Sequence, residues 1–180
     1  MNPSIESWFE RQGWTPFPFQ RKAWAEYAAG RDCLIHAPTG TGKTLAAWLA
    51  AVSEGLDEGE ASEDAPALRV LWITPLRALA TDTEQTLQDS LEGVGLGWTV
   101  AKRTGDTSSA ERARQKKRLP TALIITPESL SLLLTYADTR RKMKSLRCVV
   151  VDEWHELMGS KRGTQTELAL CGQKLIKSKQ

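Results

Sequence analysis

The chain has 180 residues, with 24 Lys and Arg against 22 Asp and Glu, a net charge of +2, and 41% apolar residues. That balance excludes a disordered polyelectrolyte and suits one globular domain spanning residues 1–180. Overall charge so near zero makes no case for nucleic-acid binding, which must rest on local clustering. Three widely spaced cysteines, Cys33, Cys148 and Cys171, form no CxxC pair. They read as free thiols in a reducing cytoplasm, Cys33 and Cys148 being buried in apolar runs. No run approaches the ~18 apolar residues of a membrane span, and the first residues lack the order of a secretion signal, so a cytoplasmic protein without a membrane partner is expected.

Residues 4–11 carry helical periodicity, stopped by Gly13. A second helix is predicted from about Gln20 to Gly30, after the Pro- and aromatic-rich WTPFPF. Cys33–His36 is a short apolar run, predicted as a buried strand, and it enters APTGTGKT and another helix. Residues 54–65 hold six acidic and no basic side chains and read as a solvated loop. Arg69–Thr74 is a predicted strand, with Pro75 opening the helix after it. Trp98–Lys102 is a weaker strand, and Ser108 or Ser109 caps a polar helix to Arg118. Ala122–Thr126 is a strand, Pro127–Leu134 a helix, Arg147–Val151 a Val-rich strand and Gln165–Lys177 a last helix. Apolar strands alternating with helices predict an α/β fold, a parallel sheet covered on both faces.

Ala37-Pro38-Thr39-Gly40-Thr41-Gly42-Lys43-Thr44 lies between the first apolar run and a helix. Glycines let backbone N–H groups turn inward around phosphates, and the helix N-terminus adds partial positive charge. Thr39, Gly40, Thr41 and Gly42 would line the phosphates, Lys43 would reach the outer ones, and the Thr44 hydroxyl would meet Mg²⁺. The strict pattern has Gly where Ala37 stands. About a hundred residues on, Val149-Val150-Val151-Asp152-Glu153-Trp154-His155 ends a strand with two carboxylates. Asp152 suits the Mg²⁺ of a bound nucleotide and Glu153 the attacking water. Taken alone, the pair would also fit the acidic first turn of a helix.

Together these segments resemble the first RecA-like domain of a superfamily 2 DEXH-box helicase. APTGTGKT is similar to motif I and DEWH to motif II. Thr74–Leu79 resembles motif Ia, RTGDT at Arg103–Thr107 the TGD segment, Thr126–Leu130 motif Ib, and Gln20 the adenine-reading Q motif. The wording of PFQRKAW, RTGDTSSAERARQ and VVDEWHELMGSKRGTQTELAL is similar to the large-helicase-related (Lhr-like) group, nearest its bacterial ligase-associated branch. The resemblance implies ATP and Mg²⁺ as cofactors and 3′-to-5′ translocation on single-stranded or partly duplex nucleic acid, DNA above all, in DNA repair. It also implies that Gln20 contacts adenine, that Lys43, Asp152 and Glu153 are catalytic, and that His155 couples ATP state to domain closure. Thr74, Arg77, Arg103, Gly105, Thr126 and Glu128 would lie along the strand or support the loops that do.

Residues 102–118 carry seven basic and two acidic side chains, and residues 140–147 five basic and none acidic. Such runs are either solvated faces or nucleic-acid contacts. Of the seven tryptophans, most fit core patterns, with Trp154 the candidate for base stacking. After Leu170 the sequence departs from the family, which continues with a motif III strand and a second RecA-like domain. The expectation is therefore a sheet lacking that strand, with Cys33–His36 and Arg147–Val151 unpaired on either side of the slot, and a chain that binds ATP with little turnover. Another kind of P-loop translocase or RNA remodeller, or a nucleotide-binding remnant, stays open at this stage.

Overall fold

The computed structural model describes residues 1–38, 40–59, 68–157, 163, 164, 166 and 167. Eight helices and four strands lie among the described residues. They cluster into two compact units, one from residues 1–65 and 85–98, the other from 66–84 and 99–180.

The first unit is helical. Asn2 caps α1 (Pro3–Arg11) by accepting from Ser4 N at 2.9 Å, and Pro3 suits the first turn. Ile5, Trp8 and Phe9 then fall on one buried stripe. α2 (Pro18–Ala28) starts at a Pro, and α3 (Lys43–Asp57) follows the glycine loop. The Trp8, Phe9, Trp14 and Trp24 rings meet edge to face, the arrangement their quadrupoles favour. Trp48 Nε1 donates to Ser90 Oγ at 2.8 Å, so this buried indole keeps a partner. Ser90 belongs to α4 (Arg77–Val94), whose first turns are counted with the second unit.

The second unit holds a parallel sheet of β1 (Val70–Ile73), β2 (Val100–Arg103), β3 (Ala122–Ile125) and β4 (Cys148–Val151), in the order β2-β3-β1-β4. All four residues of β1 and of β3 are buried, the mark of central strands covered on both faces. Leu71, Ile73, Leu123 and Ile125 pack with Leu130 and Leu133 of α6 (Pro127–Leu134). Each such side chain contributes about 1.5–3 kcal/mol when fully buried. α5 (Ser109–Lys117) is capped by Ser108, whose Oγ accepts from Glu111 N at 3.2 Å. α7 (Thr139–Lys142) precedes β4, and α8 (Trp154–Leu157) follows it.

The parallel α/β sheet expected from the sequence is therefore present, with four corrections. Cys33–His36 is not a strand: residues 31–38 have no regular structure, and Leu34 is 86% exposed. A four-residue run has no hydrogen bonds of its own, and without a paired neighbour its apolar character does not make it extended. Cys33 is exposed and Cys148 half-buried, where burial was expected of both. The helix after β1 starts at Arg77 rather than Pro75, and the acidic segment is helical up to Asp57. Within the described residues β4 pairs with β1 alone and is a sheet edge, half-buried along its length. The expected last helix lies largely outside the described residues, as do Thr39 and Cys171.

Candidate functional site

The phosphate loop is shaped by two glycines in the left-handed region, Gly40 at φ 78° and Gly42 at φ 81°. The positive φ at Gly42 disfavours any side chain there, and a Cβ would stand 2.8 Å from Gln20 Nε2 and displace that amide. Gly42 caps α3, and no side chain caps the first turn, which leaves its N–H groups for an anion. Lys43 Nζ folds back onto the Ala37 carbonyl at 2.9 Å, and the Thr41 hydroxyl donates to the Pro38 carbonyl at 2.7 Å. An incoming phosphate offers Lys43 a charged acceptor in place of a neutral one, the stronger bond of the two. Thr44 stands beside it in the first turn of α3.

Gln20 is 2% exposed and spent on the protein. Its Oε1 accepts from Phe17 N at 2.8 Å and its Nε2 donates to Gly42 O at 3.0 Å. One amide thus ties the start of α2 to the exit of the phosphate loop. The thiol of Cys33 is pushed up by desolvation and then by the carboxylates of Glu26 and Asp32.

In the sheet unit, strand register sets the other candidates. Ile73 lies opposite Ile125 and Val151, and Arg103 opposite Ile125. The next residue of each strand therefore falls in one row at the carboxyl edge, Thr104, Thr126, Thr74 and Asp152. The ladder runs on into that row through Thr126 N to Arg103 O, Thr74 N to Ile125 O and Asp152 N to Ile73 O, at 3.4, 3.0 and 2.8 Å. The loops beyond such an edge are where open α/β sheets bind ligands.

Asp152 is held on both oxygens. Oδ2 takes the indole N–H of Trp72 at 3.4 Å, and Oδ1 takes Glu153 N at 3.0 Å. Glu153 has φ 46°, the one positive value outside glycine among the described residues. Strain of this kind costs of order 1–3 kcal/mol and collects at working sites. His155 lies with Nδ1 3.3 Å from Glu153 and Nε2 3.3 Å from Glu156, and is 69% exposed. A neutral imidazole donates from one nitrogen only, so it can serve one of these carboxylates at a time.

The three row threonines are buried, at 0% for Thr74, 3% for Thr104 and 4% for Thr126. Thr126 Oγ1 bonds Ser129, Thr104 Oγ1 accepts from Asp106 N, and Thr74 Oγ1 has no hydrogen-bond partner. Arg77, Gly105 and Glu128 are exposed. The Arg77 guanidinium lies against Gly105, where a Cβ would come within 2.6 Å, and pairs with Asp106 at 2.8 Å. Arg103 lies below the loop rather than on its surface. It is 2% exposed, bonded to Gln115 Oε1 at 3.4 Å and set over the Tyr136 ring.

Three further residues emerge from the geometry. Trp72 orients Asp152, Asp106 holds Arg77, and Arg112 clips the TGD loop by donating to the carbonyls of Thr107, Thr104 and Gly105 at 2.9, 3.0 and 2.8 Å. In the sequence Arg112 is one cation in a charged run and Trp72 one apolar residue in a strand. No motif signals the clip, since Thr104, Gly105 and Thr107 all precede α5, which starts at Ser109.

Thr44 and Asp152, each taken in its own unit, carry the donor type that Mg²⁺ takes. Asp152 and Thr44 offer hard oxygens, and each carboxylate oxygen of Asp152 has more than one lone pair to give. No cluster of three or more His, Cys, Asp or Glu that could hold a metal exists among the described residues.

The DEAD/DEAH box helicase profile matches residues 17–178. The chain belongs to the DEAD/DEAH box helicase family. It is 38% identical, over 94% of its length, to the ATP-dependent helicase Lhr-Core of Methanothermobacter thermautotrophicus, of which it covers 21%. With the Lhr helicase/probable uracil glycosylase of Mycolicibacterium smegmatis it shares 40% identity over 91% of its length, covering 11% of that protein. Its fold matches the structure of the Mycobacterium smegmatis helicase Lhr bound to ssDNA and AMP-PNP, with a TM-score of 0.83 and 37% identity over 94% of this chain and 22% of the other. This DEAD/DEAH box domain thus has a RecA-like fold and spans about a fifth or less of these relatives. No described helix is long and apolar enough to cross a membrane.

Proposed function

We propose that this chain is the ATP-binding motor domain of an Lhr-like ATP-dependent helicase that moves along DNA. The observation that carries the reading is the phosphate loop, with two left-handed glycines, an uncapped helix N-terminus and Lys43 lying on a loop carbonyl. Lys43 and the first-turn N–H groups of α3 hold the phosphates, and Gln20 takes the adenine edge or fixes the loop that does. Thr44 and Asp152 hold Mg²⁺, which neutralises phosphate charge when bound. Glu153 orients and deprotonates the attacking water. His155, set between two carboxylates, passes the state of Glu153 to a second RecA-like domain.

The nucleic-acid strand runs past the carboxyl edge of the sheet, touching Arg77, Gly105 and Glu128, with Thr74, Arg103 and Thr126 supporting the loops. DNA is favoured because the similar Lhr structure holds ssDNA. Translocation from 3′ to 5′ and a role in DNA repair complete the reading, on the family likeness alone. An arginine finger from a second domain supplies roughly 10³–10⁵ in rate, so the 180-residue chain tested alone is expected to turn over slowly.

The test is Mg²⁺–ATP turnover and nucleotide affinity of wild type and Glu153→Gln in the full-length enzyme, with and without a single-stranded oligonucleotide. Affinity should be equal and turnover lost in the variant. Equal turnover removes Glu153 from the chemistry; a wild-type chain that binds no nucleotide overturns the whole reading.

A further inference from the structure

Two basic runs far apart in sequence are brought together in the sheet unit. Residues 114–118 hold four Lys and Arg and no acid, and residues 138–147 hold Arg140, Arg141, Lys142, Lys144 and Arg147 with one acid, Asp138. Lys142 Nζ joins them by bonding the Lys116 carbonyl at the end of α5, and it also pairs with Asp138 at 2.6 Å. Arg114 pairs with Glu111. The Tyr136 ring sits between Lys116, 5.4 Å away, and the buried Arg103, 5.8 Å away. Around this junction Lys116, Lys117, Arg140, Arg141 and Lys144 are exposed.

The place of the junction follows from topology. α5 leaves the TGD loop at the carboxyl edge and returns to the start of β3; α7 leads to the start of β4. Arg147 N bonds Arg69 O, and Arg69 N bonds Thr121 O, so both basic runs end at the amino edge of the sheet. Strands of four residues separate that edge from the row of Thr74 and Asp152 by ~13 Å. Both runs thus end on the opposite edge from the motif loops, while the Tyr136 ring at their junction also meets the Arg103 guanidinium from the carboxyl end of β2.

Like charges within a Debye length of about 8–10 Å repel. A face built for stability alone would spread them, particularly in a chain whose net charge is +2. Here the fold fastens the runs together with a lysine–carbonyl bond. That arrangement suits a polyanion whose own counterions are released on binding. No exposed aromatic ring lies in these runs: the exposed ones among the described residues are Trp14, Phe17 and Trp154. Base stacking, the usual grip on single strands, is missing from it.

We propose that this amino-edge face binds the phosphate backbone of duplex nucleic acid. It is a surface separate from the strand path at the carboxyl edge, and it does not rest on that path. The test uses the 180-residue chain, a duplex of about 20 base pairs and a single strand of the same length, with affinity measured against salt. The variant is Lys117→Gln with Arg140→Gln, Arg141→Gln and Lys144→Gln. On duplex the slope of log affinity against log salt should fall by about 0.9 for each phosphate that is no longer neutralised, so by about 3.6 if all four side chains engage, while the single-strand slope holds. Arg140→Gln with Arg141→Gln alone should give about half that fall. An unchanged duplex slope in a variant with wild-type circular dichroism overturns the proposal and assigns the face to an acidic protein partner. Equal falls on duplex and single strand overturn the duplex preference.

Discussion

The phosphate loop and the Asp152 loop each follow an apolar run of four residues, CLIH and CVVV, yet only the second run is a strand. CVVV is β-branched and finds a paired neighbour in β1, so register carries it to a defined row at the sheet edge. CLIH has one β-branched residue, and its Leu34 lies in solvent. The loop after it is nevertheless shaped, because its geometry is local: positive φ at Gly40 and Gly42, an amide from Gln20, and the start of α3. A phosphate site can be set by a helix start alone; a carboxylate placed by register needs a sheet.

The largest effect that would test the comparison is at Lys43. If the loop works by local geometry, Lys43→Ala should abolish measurable nucleotide binding in a fluorescent-nucleotide titration. Hydrogen bonds to charged groups are worth about 1.5–3 kcal/mol each, and this ammonium faces several phosphate oxygens. Its circular dichroism should stay that of wild type, since the bond removed inside the protein is one to the Ala37 carbonyl. Nucleotide binding as tight as wild type would show that the loop is not the phosphate site.

The comparison also explains what the sequence could and could not convey. The parallel sheet was legible because β1 and β3 are apolar throughout and each is followed by a helix. GKT and DE were legible because their chemistry is local to a few residues. Cys33–His36 was misread because a strand is a relation between two backbones, and periodicity reports only one. The burial of Arg103 was not legible for a related reason. A cation beside a TGD turn reads as a surface charge, and only the fold sets Gln115 and Tyr136 around it. Trp72 illustrates the reverse: its burial was legible, but not that register places its indole at Asp152, 80 residues on.

A middle-sized effect is expected there. Trp72→Phe keeps a ring in β1 and removes the N–H that meets Asp152 Oδ2 at 3.4 Å. The carboxylate should lose orientation while the fold persists. Apparent Mg²⁺ affinity, read as the Mg²⁺ dependence of nucleotide binding, should fall about five-fold, from roughly 1 kcal/mol. In an Asp152→Asn background the same change should add nothing, as a coupled pair requires. An identical Mg²⁺ dependence in Trp72→Phe and wild type would mean that register alone places Asp152.

The smallest effect separates two arginines that the sequence treats alike. Arg77 is 61% exposed at the carboxyl edge and pairs with Asp106, whereas Arg103 is 2% exposed beneath the same loop. An exposed pair of this kind contributes only about 0–1 kcal/mol to stability, so Arg77→Ala should leave the melting temperature nearly unchanged. The grip on a phosphate that takes the place of Asp106 would still disappear, and the salt slope on a single strand should drop by about 0.7. Arg103→Ala should do the opposite. It removes a buried cation from Gln115 and Tyr136, leaves a cavity, and should lower stability by roughly 1–3 kcal/mol. Its salt slope should match wild type, since no strand phosphate reaches a side chain so buried. A slope loss in Arg103→Ala equal to that in Arg77→Ala would return Arg103 to the strand path and break the division between the edge that touches nucleic acid and the layer that braces it.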